Sequence, residues 1–427
     1  MSAFTSVLLM VVIATGIGQG TTKPKGVPLR ELTTAIDRLV ARIDAIEPTA
    51  QPNLFRRHLR SVRALLLTEE GRAAIYCGGA NDVSAQTTEI VSQLQRGFDA
   101  DAGDWNSYLE GRRSLLMAYV SKRDNTVAHY WLTLPKSWQP EQAYPLYFEL
   151  HGAGDPHPLG WAQGQLGLPE GVKAEEYKRP TMVPMVERLG FHVYPFGRGN
   201  SGYTDIGETD VWEALADAEA TVKLDPARYY LYGFSMGGGG TWRIATRTPD
   251  KWAAAAMLAP AARSMKQDAA VGLGRNVANL PLWIWVGADD GLAPTARLLR
   301  DEIAKYGPMP PYREEPATGH NYLQEAQRAA MRFFDGKVRK RPSHFAFVAD
   351  TAEHNGVWGV TMVRDLAVSG SPSFECTVDG SSVKIDSQGT PKLTVDLLAM
   401  GLTGEVTVTW NGRKAYRGPA KLVTIDP

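Results

Sequence analysis

The chain has 427 residues, 44% of them hydrophobic and 22% charged, which is the balance of a globular protein long enough for two or three domains. Its 46 basic side chains offset 46 acidic ones, so no basic surplus and no single-sign run points to nucleic acid as a partner. Two cysteines, Cys77 and Cys376, and eight scattered histidines offer neither a C-x-x-C pair nor metal-ligand spacing, so no metal and no cofactor is expected.

Residues 7–14 are a short apolar run, too short to span a bilayer. Gly18-Gln19-Gly20 supplies small residues of the kind that precede a signal cleavage site, although no Lys or Arg precedes the run. Residues 1–20 are therefore expected to be a signal peptide, and the mature chain to be exported (periplasmic or secreted) without a stable membrane span. In that compartment Cys77 and Cys376 are open to pairing, or stay buried thiols.

After a polar linker at 21–27, Leu29, Leu32, Ile36, Leu39, Val40, Ile43 and Ile46 recur at helical spacing, and Pro48 and Pro52 end the run. Further helices are expected over 54–67, 88–98 and 105–113. This helical extension, 28–113, is expected to pack on one flank of the next unit rather than act as a lid.

From 115 the period becomes alternating. Residues 115–120 and 127–134 read as a hairpin turning at Lys122-Arg123-Asp124-Asn125. Short apolar runs follow at 144–150, 191–194, 229–232, 253–258, 282–286 and 312–315. Helical segments at 182–189, 211–222, 241–246, 295–306 and 323–334 separate or follow them. Strands alternating with helices predict an α/β unit over 115–337, with a mostly parallel sheet covered on both faces. Residues 342–427 instead alternate around Trp358, Val360 and Met362 and around Phe374, Cys376 and Val378. Asp379-Gly380 and Asn411-Gly412 mark hairpins there. A small all-β domain, sandwich-like, is expected to pack on the α/β unit rather than bind a polymer.

Gly233-Phe234-Ser235-Met236-Gly237 joins the run at 229–232 to a helix. This is a G-x-S-x-G elbow: a strained strand-to-helix turn whose glycines admit close backbone approach and whose serine hydroxyl stands above the sheet edge. A serine needs a base, and the base an orienting carboxylate, in the chain order Ser, Asp or Glu, His. Asp290 is the expected acid, with Asp289 as its neighbour and rival, and His320 in Ala317-Thr318-Gly319-His320 the expected base. His58 falls in the helical extension, His344 and His354 in the β tail, and His129 and His192 in strands. His151 and His157 precede the serine. An oxyanion hole would take the N–H of Met236 and a second from Gly152 or Ala153, with His151 bracing that loop. Trp161, Arg198, Tyr203 and Trp242 are candidate contacts for a sugar or cinnamoyl ring, although Trp242, like Trp212, also fits a core position.

The run Gly233 to Trp242 and Arg198-Gly199-Asn200-Ser201-Gly202-Tyr203 carry a resemblance. Residues 115–337 resemble the α/β-hydrolase superfamily, and within it two groups: feruloyl and acetylxylan esterases with polyhydroxyalkanoate depolymerases, and the prolyl-oligopeptidase catalytic domain with its predicted-peptidase relatives. The resemblance implies that Ser235, Asp290 and His320 form a catalytic triad. It also implies a serine esterase acting on acyl groups, feruloyl or acetyl, of polysaccharides or related esters. The alternative is an oligopeptidase-like serine peptidase, from which the helical start departs, because that group usually carries a β-propeller.

Overall fold

The structure, a computed structural model, describes residues 29–50, 53–67, 114–153, 189–262, 268, 270–363 and 370–426. The expected signal peptide, the helices at 88–98 and 105–113, all but the last residue of that at 182–189, and Cys77, His157 and Trp161 lie outside the described residues.

Eight strands form one sheet: β1 (Ser114–Val120), β2 (Val127–Thr133), β3 (Tyr144–Leu150), β4 (Phe191–Pro195), β5 (Leu224–Phe234), β6 (Ala254–Leu258), β7 (Leu282–Gly287) and β8 (Tyr312–Glu315). Their order is β1-β2-β4-β3-β5-β6-β7-β8. The first hairpin is antiparallel, β2 runs antiparallel to β4, and every pairing from β4 to β8 is parallel. This is the α/β-hydrolase strand order. Every residue of β3, β6 and β7 is buried, as expected for strands covered on both faces.

The helices are α1 (Leu29–Ile46), α2 (Asn53–Leu67), α3 (Ile206–Thr221), α4 (Met236–Arg247), α5 (Ala293–Ala304) and α6 (Gln324–Phe334). Alternate residues of β5 point to opposite faces. Tyr229 and Leu231 join the cluster that takes in α3, α4 and α5, while Tyr230 and Tyr232 join the one that takes in α6. The edge strand β1 is covered by α2, whose Leu59, Val62 and Leu66 belong to the main core. Arg57 fixes that contact, donating to Ala118 O at 2.9 Å and to Asp217 at 2.6 Å.

Three elements depart from the expected bounds. The helix expected from 211 begins at Ile206. The strand before the serine begins at Leu224, ahead of the expected run at 229–232; its first residues reach the sheet through an irregular register against Tyr144 and Leu146. The helix after the serine begins at Met236 and runs through Gly237–Gly240, against glycine's poor helix propensity. Crowding explains it: a Cβ at Gly237 would lie 1.9 Å from Leu150 O, and one at Gly239 2.4 Å from Ala261 O. Close packing of the helix on its neighbours overrides propensity here.

The tail holds β9 (His344–Val348), β10 (Gly356–Val357), β11 (Val360–Val363), β12 (Ser373–Asp379), β13 (Ser382–Gln388), β14 (Lys392–Asp396), β15 (Glu405–Trp410), β16 (Arg413–Pro419) and β17 (Leu422–Ile425). They form two sheets, β10-β11-β14-β17 and β16-β15-β13-β12-β9, around a separate apolar core. Asn411 and Gly412 turn the β15–β16 hairpin with φ of 47° and 79°, as a two-residue primed turn requires. Cys376 is a free thiol in this core, and burial pushes its pKa up to about 12. The sandwich docks on the α/β unit through polar contacts. Asn276 donates to Val348 O at 2.9 Å and accepts from Val348 N at 2.7 Å. Arg247 pairs with Asp350, and His354 lies 2.7 Å from Glu208.

Candidate active site

The C-terminal ends of β5, β7 and β8 meet at one point of the sheet edge. Ser235 follows β5 directly, with φ 57° and ψ −116°, a conformation a non-glycine residue holds only under constraint. The constraint is visible at the flanking glycine: a Cβ at Gly233 would lie 2.5 Å from Gly237 O and 2.6 Å from Leu150 O. Ser235 N donates to Leu258 O at 2.9 Å, and its own carbonyl accepts from Gly239 and Ala261. The turn is thus fastened to β6 and to its own helix.

The segment after β8 is laid across the end of β7. Ala288 N donates to Glu315 O at 2.8 Å and Asp289 N to Thr318 O at 2.9 Å. Gly287 is the point of approach, where a Cβ would meet Thr318 O at 2.2 Å. This crossing brings His320 over Asp290. Nδ1 of His320 lies 2.7 Å from Asp290 Oδ2, and Nε2 lies 2.9 Å from Ser235 Oγ. A carboxylate only accepts, so Nδ1 carries the proton and Nε2 is left to accept from the serine hydroxyl. The other oxygen of Asp290 accepts from Leu292 N at 2.8 Å, which fixes the carboxylate's orientation. Asp290 is buried, its side chain 2% exposed, whereas that of His320 is 34% exposed. Asp289 contributes its backbone to the crossing, and it is Asp290 whose side chain meets the ring. The ring of Phe234 stacks on His320 at 4.8 Å.

The expected oxyanion donors lie close by. Met236 is the first residue of α4, so its N–H has no acceptor within the helix. Gly152 lies against the serine: its Cβ position is 3.6 Å from Ser235 Cβ, and Ala153 beside it is exposed. His151 is buried and faces two carbonyls, Gly152 O and Phe196 O, each at 2.9 Å. It ties the loop after β3 to the loop after β4.

Three expected substrate contacts are corrected. Trp242 is 1% exposed on α4 and donates its indole N–H to Asp268 at 3.1 Å, so it is a core residue. Tyr203 is fully buried, wedged against Gly240, and its hydroxyl donates to His151 O at 3.0 Å. It braces the donor loop from beneath. Arg198 bonds Thr126 Oγ1 at 2.8 Å and pairs with Asp124 at 3.1 Å and Asp210 at 3.4 Å. Its guanidinium joins the loop after β4 to the β1–β2 hairpin and to α3. Asp210 also accepts from Gly197 N at 2.6 Å, and burial pushes its carboxyl up to about 6. Trp161 lies outside the described residues.

A second carboxyl went unread in the sequence. Glu149 on β3 is buried, and its oxygens accept from Tyr232 OH and, at 2.9 Å, from Tyr322 OH. Burial pushes it up to about 7 against the opposing pull of those hydrogen bonds. The available signal was a charged residue inside a run that otherwise reads as buried on both faces.

Among the described residues no group of three metal-ligating side chains occurs, and no helix is long and apolar enough to cross a membrane. No protein-family model and no curated protein matches the chain. Solved structures do. A thermostable esterase is 20% identical over 53% of this chain, at a TM-score of 0.42, and the match spans 64% of that protein's length. A ferulic acid esterase is 20% identical over 52% of this chain and 96% of its own, at 0.41. A feruloyl esterase module from Clostridium thermocellum, complexed with sinapinate, is 15% identical over 54% of this chain and 90% of its own, also at 0.41. At such identities and scores, what this chain can catalyse has to be read from its own residues.

Proposed function

We propose that the protein is a serine hydrolase of carboxylic esters, with Ser235, His320 and Asp290 as its catalytic triad. The observation that carries this reading is one chain of contacts: Asp290 Oδ2 at 2.7 Å from His320 Nδ1, and His320 Nε2 at 2.9 Å from Ser235 Oγ. In the first half-reaction Ser235 Oγ attacks the acyl carbon while Nε2 takes the hydroxyl proton. The N–H groups of Met236 and of Gly152 or Ala153 receive the oxyanion. The tetrahedral adduct collapses, Nε2 hands its proton to the departing alkoxide, and the alcohol leaves an acyl-serine. Water, deprotonated by the same nitrogen, then releases the acid and restores the serine. Asp290 keeps the imidazole in the required tautomer and stabilises its cation.

The resemblance to feruloyl and acetylxylan esterases favours acyl groups carried on polysaccharides or related compounds as substrates. The apolar run at 7–14 favours export of the mature chain, which the mass of the secreted protein tests. Turnover of acetyl, feruloyl and longer-chain aryl esters, set against peptidyl amides, tests the reaction. Ester turnover that disappears in Ser235→Ala is the expected result. Turnover of amides alone would replace the reading with a peptidase, and turnover of neither would overturn it.

A further inference from the structure

Glu149 is the next-to-last residue of β3, a strand in the middle of the sheet. A buried carboxyl there needs hydrogen-bond partners, and an apolar side chain of similar volume would avoid the cost of burial altogether. Packing alone does not explain it. Its partners come from the supports of the candidate site. Tyr232 stands three residues before Ser235, on the serine's own strand, and donates to Oε2. Tyr322 stands two residues after His320 and donates to Oε1 at 2.9 Å. Gln327 Nε2 on α6 lies 3.4 Å from Oε2. The donor loop begins at His151, two residues after Glu149 itself. Tyr322 also packs 5.1 Å from Phe234, the ring that stacks on His320.

His320 needs such an anchor. Its segment, between β8 and α6, belongs to neither a helix nor a strand: Asp289 N holds it at Thr318 O, two residues before the ring, and Tyr322 OH holds it two residues after. The Tyr322 hydroxyl reaches down from this segment into the sheet, and Glu149 is what it finds there.

We propose that Glu149 is a positioning residue: acting through Tyr322 and Tyr232, its carboxyl holds the His320 segment at the distance where Nε2 accepts the Ser235 proton. The inference rests on reading Ser235, His320 and Asp290 as the reacting groups. Displacement of a base by about 1 Å costs up to roughly 100-fold in rate, so small changes in this anchor are expected to reach the chemistry.

The test compares Glu149→Gln, Tyr322→Phe and the double variant with the wild type. Melting temperature, kcat and KM on a short aryl ester, and the rate of inactivation by a fluorophosphonate are measured on each. Each single variant is expected to lower kcat by about 10- to 100-fold while KM stays within about twofold. The double variant should be no slower than the worse single one, because both changes break the same chain of bonds. Tyr322→Phe removes one hydroxyl and keeps the ring, so it decides the matter even if Glu149→Gln fails to fold. A lower melting temperature with unchanged kcat in Tyr322→Phe would overturn the proposal, leaving Glu149 a structural polar group. Additive losses in the double variant would overturn it too. Wild-type protein that neither turns over esters nor takes fluorophosphonate on Ser235 would instead sink the reading of the site, and this inference with it.

Discussion

Every residue of β3 is buried, whereas β12 and β13 in the tail alternate buried with exposed or half-exposed positions. The first strand is covered on both faces and the others on one, so polar groups are handled differently. The sandwich sends them outward all along its strands. The inner strands β3, β6 and β7 have no outward side, and the one charged residue they carry, Glu149, is bonded from within. Backbone strain divides the same way. Arg198, Ser235, Ala259 and Ala317 hold positive φ just past the C-terminal ends of β4, β5, β6 and β8. In the tail, Trp358 and Asn411 hold it at two-residue hairpin turns. Strain in the sandwich reverses the chain; at the sheet edge the strained Ser235 carries its hydroxyl to His320, at the kind of position where reactive groups are expected.

The contrast breaks first at Ser235. Ser235→Ala should lower kcat by about 10⁴- to 10⁶-fold with the melting temperature nearly unchanged, because the hydroxyl carries no packing. Retained turnover in the pure variant would mean that the strained edge is not the reacting site. Asp290→Asn comes next, at about 10⁴-fold, since an amide there can hold the ring in the wrong tautomer. Asp289→Asn, whose backbone alone takes part, should stay close to wild type; the reverse ranking would move the acid by one residue.

Glu149 sharpens the comparison through pH. Its folded value, about 7, lies above its ordinary 4.5, so between those values the folded state holds the proton more tightly than the unfolded chain does. The stability it contributes is complete below about 4.5 and is lost as the pH rises through about 7. Urea unfolding between pH 5 and 8 should show a decline to which this group contributes on the order of 3 kcal/mol. Glu149→Gln should flatten that decline, and an identical slope in the variant would rule the group out as its source. The smallest effect belongs to the docking of the tail. Asn276→Ala leaves the backbone of Val348 without its partners and should cost about 1–3 kcal/mol of stability. Turnover of short esters should be untouched, and a matching loss of kcat would show that the sandwich takes part in the chemistry.

The sequence made the sheet legible through runs of apolar residues, and the sandwich through period-two patterns with Asn-Gly and Asp-Gly turns. The serine turn was readable because its residues are contiguous and each glycine answers a local crowding. Burial at the ends of long side chains was not readable. Trp242, Tyr203 and Arg198 sit beside the site in sequence and look available, yet each is spent on holding loops or filling the core. Their partners, Asp268, His151 and Asp210, are set by the fold rather than by neighbouring residues. Glu149 was missed for the same reason: its partners at 232, 322 and 327 meet only once β3, β5, the segment before α6 and α6 itself are stacked. The glycine helix at 237–240 defied propensity because contacts from three other segments dictate it.

The most direct test is the mass of the intact protein and of its Ser235 peptide after exposure to a fluorophosphonate, in wild type, Ser235→Ala and His320→Ala. One adduct on Ser235 in the wild type is expected, with none in Ser235→Ala. Labelling in His320→Ala should be slowed at least about 10³-fold, because the hydroxyl has lost its base. An unlabelled wild type, or an adduct that forms equally fast without His320, would contradict the account.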